Sequence, residues 1–220
     1  MANAIQSLST ATRIVVPFSK KTLLTGSETD PYLLPNSNTL RNKLGLTDVW
    51  DLHRAEGELS GARKAQLRRD PPTGELSLRL LKQVHRHLFQ DVYEWAGSLR
   101  KVNVAKGESV FPPKEFVEQS TAKALRRYNA ANASFDRNNA SNFIKNAGRL
   151  LGEIYAIHPF REGNGRTQRA LICIAADRSG FSLDWSQTSP TLMLTACVYS
   201  MNNDNSLLES IIEGCLASAR

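Results

Sequence analysis

His158-Pro159-Phe160-Arg161-Glu162-Gly163-Asn164-Gly165-Arg166-Thr167-Gln168-Arg169 is the stretch on which the reading of this chain turns. Before it, Phe143, Ala147, Leu150, Leu151, Ile154 and Tyr155 are spaced for one apolar helix face; after it, Ala170 to Ala176 continues as a second apolar helix. The stretch is therefore a loop joining two helices. Gly163 and Gly165 permit backbone conformations closed to other residues and let main chain approach a ligand. The N–H groups of Asn164 to Arg166 open the second helix, where an anion is favoured. Arg166 and Arg169, three apart, share a helix face and present two planar donor forks to phosphates. Glu162 suits Mg²⁺, which takes one or two carboxylates and completes its shell with phosphate oxygens and water. His158, neutral at physiological pH, suits proton abstraction from a hydroxyl. Singly, each residue is commonplace: a histidine at a helix end is usually structural, Gly-Asn-Gly is usually a turn, and surface arginines are usually solvated. Together they describe phosphoryl or nucleotidyl transfer from a Mg-bound nucleoside triphosphate.

Outward from the loop, 220 residues suffice for one well-buried domain and make two of ordinary size unexpected. An apolar share of 41% and a charged share of 22% are those of a globular protein, and no run reaches the length of a membrane span. The N-terminus lacks the basic start and long apolar centre of a secretory signal, so a cytoplasmic site of synthesis is expected. Cys173, Cys197 and Cys215, widely spaced in apolar helical surroundings, read as buried thiols. A net charge of +7 admits a polyanionic partner without choosing one, and direct nucleic-acid binding has only that charge behind it. The densest basic run, Arg63 to Arg69, ends a predicted helix and reads as a solvated C-terminal turn.

Residues 1–31 show no sustained period and close on Gly26-Ser27-Glu28-Thr29-Asp30-Pro31, an irregular arm. Residues 32–220 form the domain. Thr47 is the predicted N-cap of a helix through Val49, Leu52, Glu56 and Leu59, which ends at Asp70-Pro71-Pro72. Ser77 caps the next, whose stripe Leu78, Leu81, Val84, His85, Leu88, Phe89 and Val92 runs to Gly97. His85 and His87, two apart, face different ways and do not make a shared metal site. Arg100, Val102 and Val104 then alternate with Lys101, Asn103 and Ala105, followed by a turn over Lys106-Gly107-Glu108 and by Val110-Phe111. That is a two-stranded ribbon with open edges, suited to pairing with another chain. Helices are predicted from Pro113 to Tyr128, up to His158, from Thr191 to Met201 and from Asn205, with a loop over Phe181 to Trp185.

The organising loop resembles the signature of the Fic (filamentation induced by cAMP) family, His-x-Phe-x-Asp/Glu-Gly-Asn-Gly-Arg-x-x-Arg, with all eight specified positions filled. Tyr32 to Gly45 is similar to the family's lead-in, and His87 to Arg100 to its second marker. The resemblance implies a mainly α fold: a Fic-type helical bundle with one short β-hairpin flap beside the active-site loop. It implies transfer of AMP from ATP to a Ser, Thr or Tyr hydroxyl of a protein, with release of pyrophosphate. His158 takes the base position and Phe160 the loop anchor. Glu162 takes the Mg²⁺ position; Gly163, Asn164 and Gly165 form the hole around the α-phosphate, and Arg166 and Arg169 hold the outer phosphates. The flap, Val102, Asn103, Val104, Lys106, Gly107, Val110 and Phe111, docks an extended target segment by strand addition.

Self-inhibited relatives carry Ser/Thr-x-x-x-Glu-Gly/Asn. Here Glu56-Gly57 has Leu52 four residues before it, Glu162-Gly163 belongs to the loop, and Glu213-Gly214 has Glu209. No intact inhibitory motif is present, so the resemblance implies a small separate antitoxin. It places the chain with toxins acting on bacterial type II topoisomerase subunits, or with effectors delivered into host cells that modify small GTPases. Two other readings stand beside it: transfer of another phosphate-containing group such as UMP or phosphocholine, and a catalytically idle nucleotide- or partner-binding module.

Overall fold

The computed structural model describes residues 22–24, 30–106, 109–132 and 139–218. In chain order these form β1 (Thr22–Leu24), α1 (Val49–Arg69), α2 (Leu78–Phe89), β2 (Val104–Lys106), β3 (Ser109–Val110), α3 (Lys114–Asn132), α4 (Ala140–Ile157), α5 (Asn164–Arg178), β4 (Phe181–Leu183), α6 (Pro190–Ser200), α7 (Ser206–Cys215) and β5 (Leu216–Ser218). A 3-10 turn over Trp185–Gln187 joins β4 to α6. The fold is mainly helical, with a short ribbon beside the organising loop, as the sequence implies.

Helices α4 and α5 are the centre. Phe143, Leu150, Leu151 and Ile154 of α4, and Leu171, Ile172 and Ala176 of α5, are almost fully buried. Each large aliphatic or aromatic side chain so buried contributes about 1.5–3 kcal/mol. Helices α3, α6 and α7 pack on α4, while α2 packs on α5 and α1 on α2. The apolar periods on either side of the loop therefore fix where the loop sits: at the junction of the two most buried helices.

Helix starts follow side-chain capping. Ser77 accepts from the Leu80 N–H, Asn139 from the Asn142 N–H, and Ser189 from the Leu192 N–H with Pro190 at the first helical position. The first helix is capped by Asp48 rather than Thr47: the Asp48 carboxylate accepts from the Trp50 and Asp51 N–H groups at 2.8 and 3.0 Å. Thr47 lies outside, its carbonyl accepting from the Thr39 hydroxyl at 2.6 Å. α2 stops at Phe89, eight residues short of Gly97. Val92 and Tyr93 continue the apolar stripe because the turns after Phe89 fold them back into the core, 0% and 2% exposed.

The ribbon has three strands, in the order β1-β2-β3 and antiparallel throughout. Thr22 pairs with Lys106 and Leu24 with Val104; Ala105 pairs with Val110. The edge of β2 expected to be open is thus occupied by β1, since an unpaired strand edge gains a ladder of hydrogen bonds from any extended segment that reaches it. The rest of the N-terminal arm up to Thr29 lies outside the described residues. Phe181–Leu183, read as loop, is β4, paired with β5. Among the described residues no helix is long and apolar enough to cross a membrane, and the three cysteines are free thiols.

Candidate active site

α4 ends on His158, whose backbone is left-handed (φ 51°, ψ 64°) and whose N–H donates to the Ile154 carbonyl at 3.0 Å. A non-glycine residue there costs on the order of 1 kcal/mol and must be held by its surroundings. Arg100, 3% exposed, holds it: the guanidinium donates to the carbonyls of His158 (2.9 Å), Val102 (2.8 Å), Pro112 (2.5 Å) and Ile157 (3.4 Å). The His158 ring stacks on Phe111 at 4.0 Å and meets Tyr155 edge-on at 6.1 Å. Burial, then the charges of Lys106 and Arg100, hold its pKa down to about 3, so the ring is neutral at physiological pH. Its Nδ1 is buried and the Tyr155 carbonyl lies against the ring, so Nδ1 carries the proton and Nε2 is left to accept one. A neutral imidazole held in that tautomer is a proton acceptor in waiting.

The rest of the loop is built to keep one shape. Phe160 is fully buried against the His85 ring at 3.8 Å. The Asn164 amide accepts from the Phe160 N–H at 2.9 Å and donates to the Phe160 carbonyl at 2.8 Å, closing the loop on itself. His85 Nδ1 accepts from the Gly97 N–H at 2.8 Å, so Nε2 carries the proton and donates to the Glu162 carbonyl at 3.0 Å. Its burial pushes the pKa down to about 4. His87 lies against the Arg63 carbonyl at 3.0 Å; both histidines are structural. Gly163 caps α5 with φ 79°, and a Cβ there would stand 2.4 Å from the Phe89 ring. Gly165, by contrast, is helical, and its missing side chain leaves room beside the Arg169 guanidinium. The first hydrogen bond of α5 is Thr167 N–H to the Gly163 carbonyl, at 3.0 Å. The N–H groups of Asn164, Gly165 and Arg166 therefore have no acceptor among the described residues, and such a helix start favours an anion.

In front of it lies a cavity of about 650 Å³. His158, Tyr155 and Leu151 of α4, Gly165, Gln168, Arg169 and Cys173 of α5, and the start of α6 line it, with Trp185 and Asp184 at one side and Lys106 of β2 at another. Lys64 and Arg68 of α1, exposed as the reading of a solvated helix end expects, also line it. Gln168, at a position the signature leaves open, is 2% exposed and its Nε2 has no partner among the described residues. Sequence offers no signal for it beyond its place one turn into α5.

The loop thus brings His158, Gly165, Arg169 and the flap residue Lys106 to one cavity. Arg166 is turned elsewhere. It pairs with Glu56, donates to the Ser60 hydroxyl at 3.0 Å and lies 4.8 Å over the Phe89 ring. Glu56, 4% exposed, also accepts from the Tyr93 hydroxyl. A carboxylate buried on the packed side of α1 must find donors, and Arg166 is the guanidinium within reach. Burial lowers the Arg166 pKa to about 10, leaving it charged. Glu162 does not line the cavity; one of its oxygens accepts from the Gly163 N–H at 2.9 Å, and the other has no partner among the described residues. A single hard-oxygen donor beside an anion site fits Mg²⁺ shared with phosphate, and among the described residues no cluster of three His, Cys, Asp or Glu offers a protein-only cage. Arg161, unread in the sequence, forks onto Asp30 at 2.9 and 2.6 Å and ties the lead-in to the loop.

The flap residues divide by burial. Val102, Val104 and Phe111 are 3%, 0% and 3% exposed and belong to the core; Asn103 accepts from the Lys114 N–H at 2.8 Å. Val110 is 65% exposed, and Gly107 lies outside the described residues. A charge at Val102 would therefore unfold the ribbon rather than probe docking. Glu213 is exposed on α7 and absent from the cavity lining, and Arg169 pairs with no carboxylate among the described residues.

Residues 75–176 match the Fic/DOC family. The protein named "Probable protein adenylyltransferase y4lH" of Sinorhizobium fredii is 35% identical over 80% of this chain and 90% of its own length. "Protein adenylyltransferase VbhT" of Bartonella schoenbuchensis is 35% identical over 83% of this chain, which spans 38% of that longer protein. Among solved structures, the ADP-bound N-terminal Fic domain of a VirB-translocated Bep effector from Bartonella quintana aligns with a TM-score of 0.77 at 25% identity, covering 86% of this chain and 95% of that one.

Proposed function

This chain belongs to the Fic/DOC family, and on that basis we propose that it is a protein adenylyltransferase. It transfers AMP from Mg–ATP to a Ser, Thr or Tyr hydroxyl of a protein target and releases pyrophosphate. The observation that carries this reading is a neutral, buried His158 in the same cavity as the open start of α5 and the Arg169 guanidinium. The N–H groups of α5 receive the α-phosphate and Arg169 an outer phosphate. His158 takes the proton of the attacking hydroxyl, whose oxygen bonds to the α-phosphorus as the bond to the bridging oxygen breaks. Held in line by fixed donors, the reacting groups owe most of their rate to positioning and charge neutralisation. Glu162 would hold Mg²⁺, which neutralises charge on the phosphates when bound. Arg166 acts from behind the loop: its pair with Glu56 fixes α1 against the start of α5.

The partner is an extended segment of a target protein laid along the ribbon, a bacterial type II topoisomerase subunit or a host small GTPase, with the enzyme made in the cytoplasm. Arg169, without a carboxylate partner among the described residues, supports restraint by a separate small antitoxin that brings one. ATP labelled at the α-phosphate, incubated with a source lysate and Mg²⁺, should label a protein band. Label from the γ-position, or labelling that survives His158→Ala or excess chelator, would overturn the reading. Labelling from UTP in place of ATP would redirect it to UMP transfer.

A further inference from the structure

The cavity is more cationic than the site loop requires. Lys64 and Arg68, one turn apart on α1, share a face that lines it. Across from them the cavity face of α5 runs Gly165, Arg169, Cys173. At a rise of about 1.5 Å per residue, Arg169 lies about 6 Å and Cys173 about 12 Å along the axis from Gly165. The Cys173 thiol, raised by burial, is pulled back by its Trp185 hydrogen bond and then by the charges of Lys64 and Arg68, and Arg68 also acts on Asp177 and Asp184. The two cations thus line the same cavity as Arg169.

Neither has a partner among the described residues. Their neighbour Arg63, on another face of α1, is satisfied by Asp91 at 2.6 and 2.7 Å. Asp184, the one carboxylate lining the cavity, accepts from the Ser186 N–H at 3.0 Å and the Gln187 amide at 3.1 Å. Arg166 is committed to Glu56. Two cations thus line the cavity with no carboxylate in hydrogen-bonding contact among the described residues, and the loop's own arginine pair delivers only Arg169 to the cavity.

We propose that Lys64 and Arg68 form a second phosphate station beside Arg169, which takes the outermost phosphate of the nucleotide and then the departing pyrophosphate. The inference rests on the nucleotidyl-transfer reading and deepens it. When the target oxygen bonds to the α-phosphorus, the bond to the bridging oxygen breaks and its electron pair leaves on pyrophosphate, while the hydroxyl proton goes to His158. That leaving group is a polyanion, and a cationic pair beside Arg169 disperses its charge. The station also sets a preference for triphosphates, since only they reach it.

The test is Lys64→Gln/Arg68→Gln, two exposed helix positions given a good helix former. Binding of Mg–ATP, AMP and inorganic pyrophosphate is measured calorimetrically for it, for wild type and for Arg69→Gln, which alters net charge outside the cavity. The expected result is loss of about tenfold in affinity for ATP and pyrophosphate, from two partly screened charge-assisted contacts, with AMP within about twofold and Arg69→Gln like wild type. Unchanged ATP and pyrophosphate affinity, an equal loss for AMP, or the same loss in Arg69→Gln would each overturn the station and leave the transferase reading standing. A wild type that binds no adenine nucleotide would overturn both.

Discussion

Gly163→Ala tests how the loop is held. Gly163 sits at φ 79°, and a Cβ there would stand 2.4 Å from two carbons of the Phe89 ring. The left-handed backbone costs an alanine roughly 1–2 kcal/mol. Phe89 is fully buried and cannot swing clear without disturbing the core, so overpacking adds about 1–3 kcal/mol. The sum, about 2–5 kcal/mol, is a large part of a stability of about 5–15 kcal/mol. For a chain of this size each kcal/mol moves Tm by about 2–4 °C, so calorimetry should record a fall of roughly 4–20 °C. The steric part is separable. In a Phe89→Leu background the ring is gone, and Gly163→Ala should cost only the backbone share, about 1–2 kcal/mol. Chemical denaturation of the four proteins of this cycle measures the coupling. A single variant within about 0.5 kcal/mol of wild type, or equal costs in both backgrounds, would refute the reasoning.

Three further outcomes are expected. Glu56→Ala strands the Arg166 guanidinium, and urea unfolding should show a loss of about 2–4 kcal/mol, below the figure for a fully buried pair because the Arg166 side chain keeps 30% of its exposure; a loss under about 1 kcal/mol would mean that the pair does not hold α1 to the site. Val110→Asp, at an exposed flap position, should weaken labelling of the protein target with ATP affinity intact, whereas Val102→Asp should unfold the protein; equal loss of both activities in Val110→Asp removes the flap from docking. The His158 ring should remain neutral by NMR at about pH 5, because its folded pKa is about 3 against about 6.5 unfolded. Its contribution to stability is then complete above about pH 6.5 and lost as pH falls toward 3, as the unfolded ring takes up a proton the folded one refuses; a midpoint near 6.5 would show that the ring is solvated.

The residues legible in the sequence are those whose meaning is local. The period of Phe143 to Tyr155 and of Ala170 to Ala176 gives α4 and α5, and hence the loop, because a helix face repeats within its own segment. What stayed hidden depends on distance. Nothing near Arg166 announces that Glu56, 110 residues earlier, will take it from the cavity. Asp30 and Arg161 meet across 131 residues in the same way. The helix-end rule describes Lys64 and Arg68 as exposed, which they are, but foresees neither that both line the cavity nor that Arg63 is half-buried against Asp91, because those depend on elements far off in the chain. β1 and β5, three residues each, are too short for alternation to show, and exist through the strands they meet.

Arg100 draws its four acceptor carbonyls from both sides of the site: Val102 and Pro112 flank the ribbon, Ile157 and His158 end α4. One buried guanidinium thus separates the ribbon's root from its tip. Substitutions at Ser109 and Val110 change what the ribbon presents without touching a group that Arg100 grips. On the proposed docking along the ribbon, exchanging the tip between relatives should redirect the enzyme toward a new protein while the base keeps its place, and a retargeting library should vary the tip and leave Arg100 and its four acceptors alone.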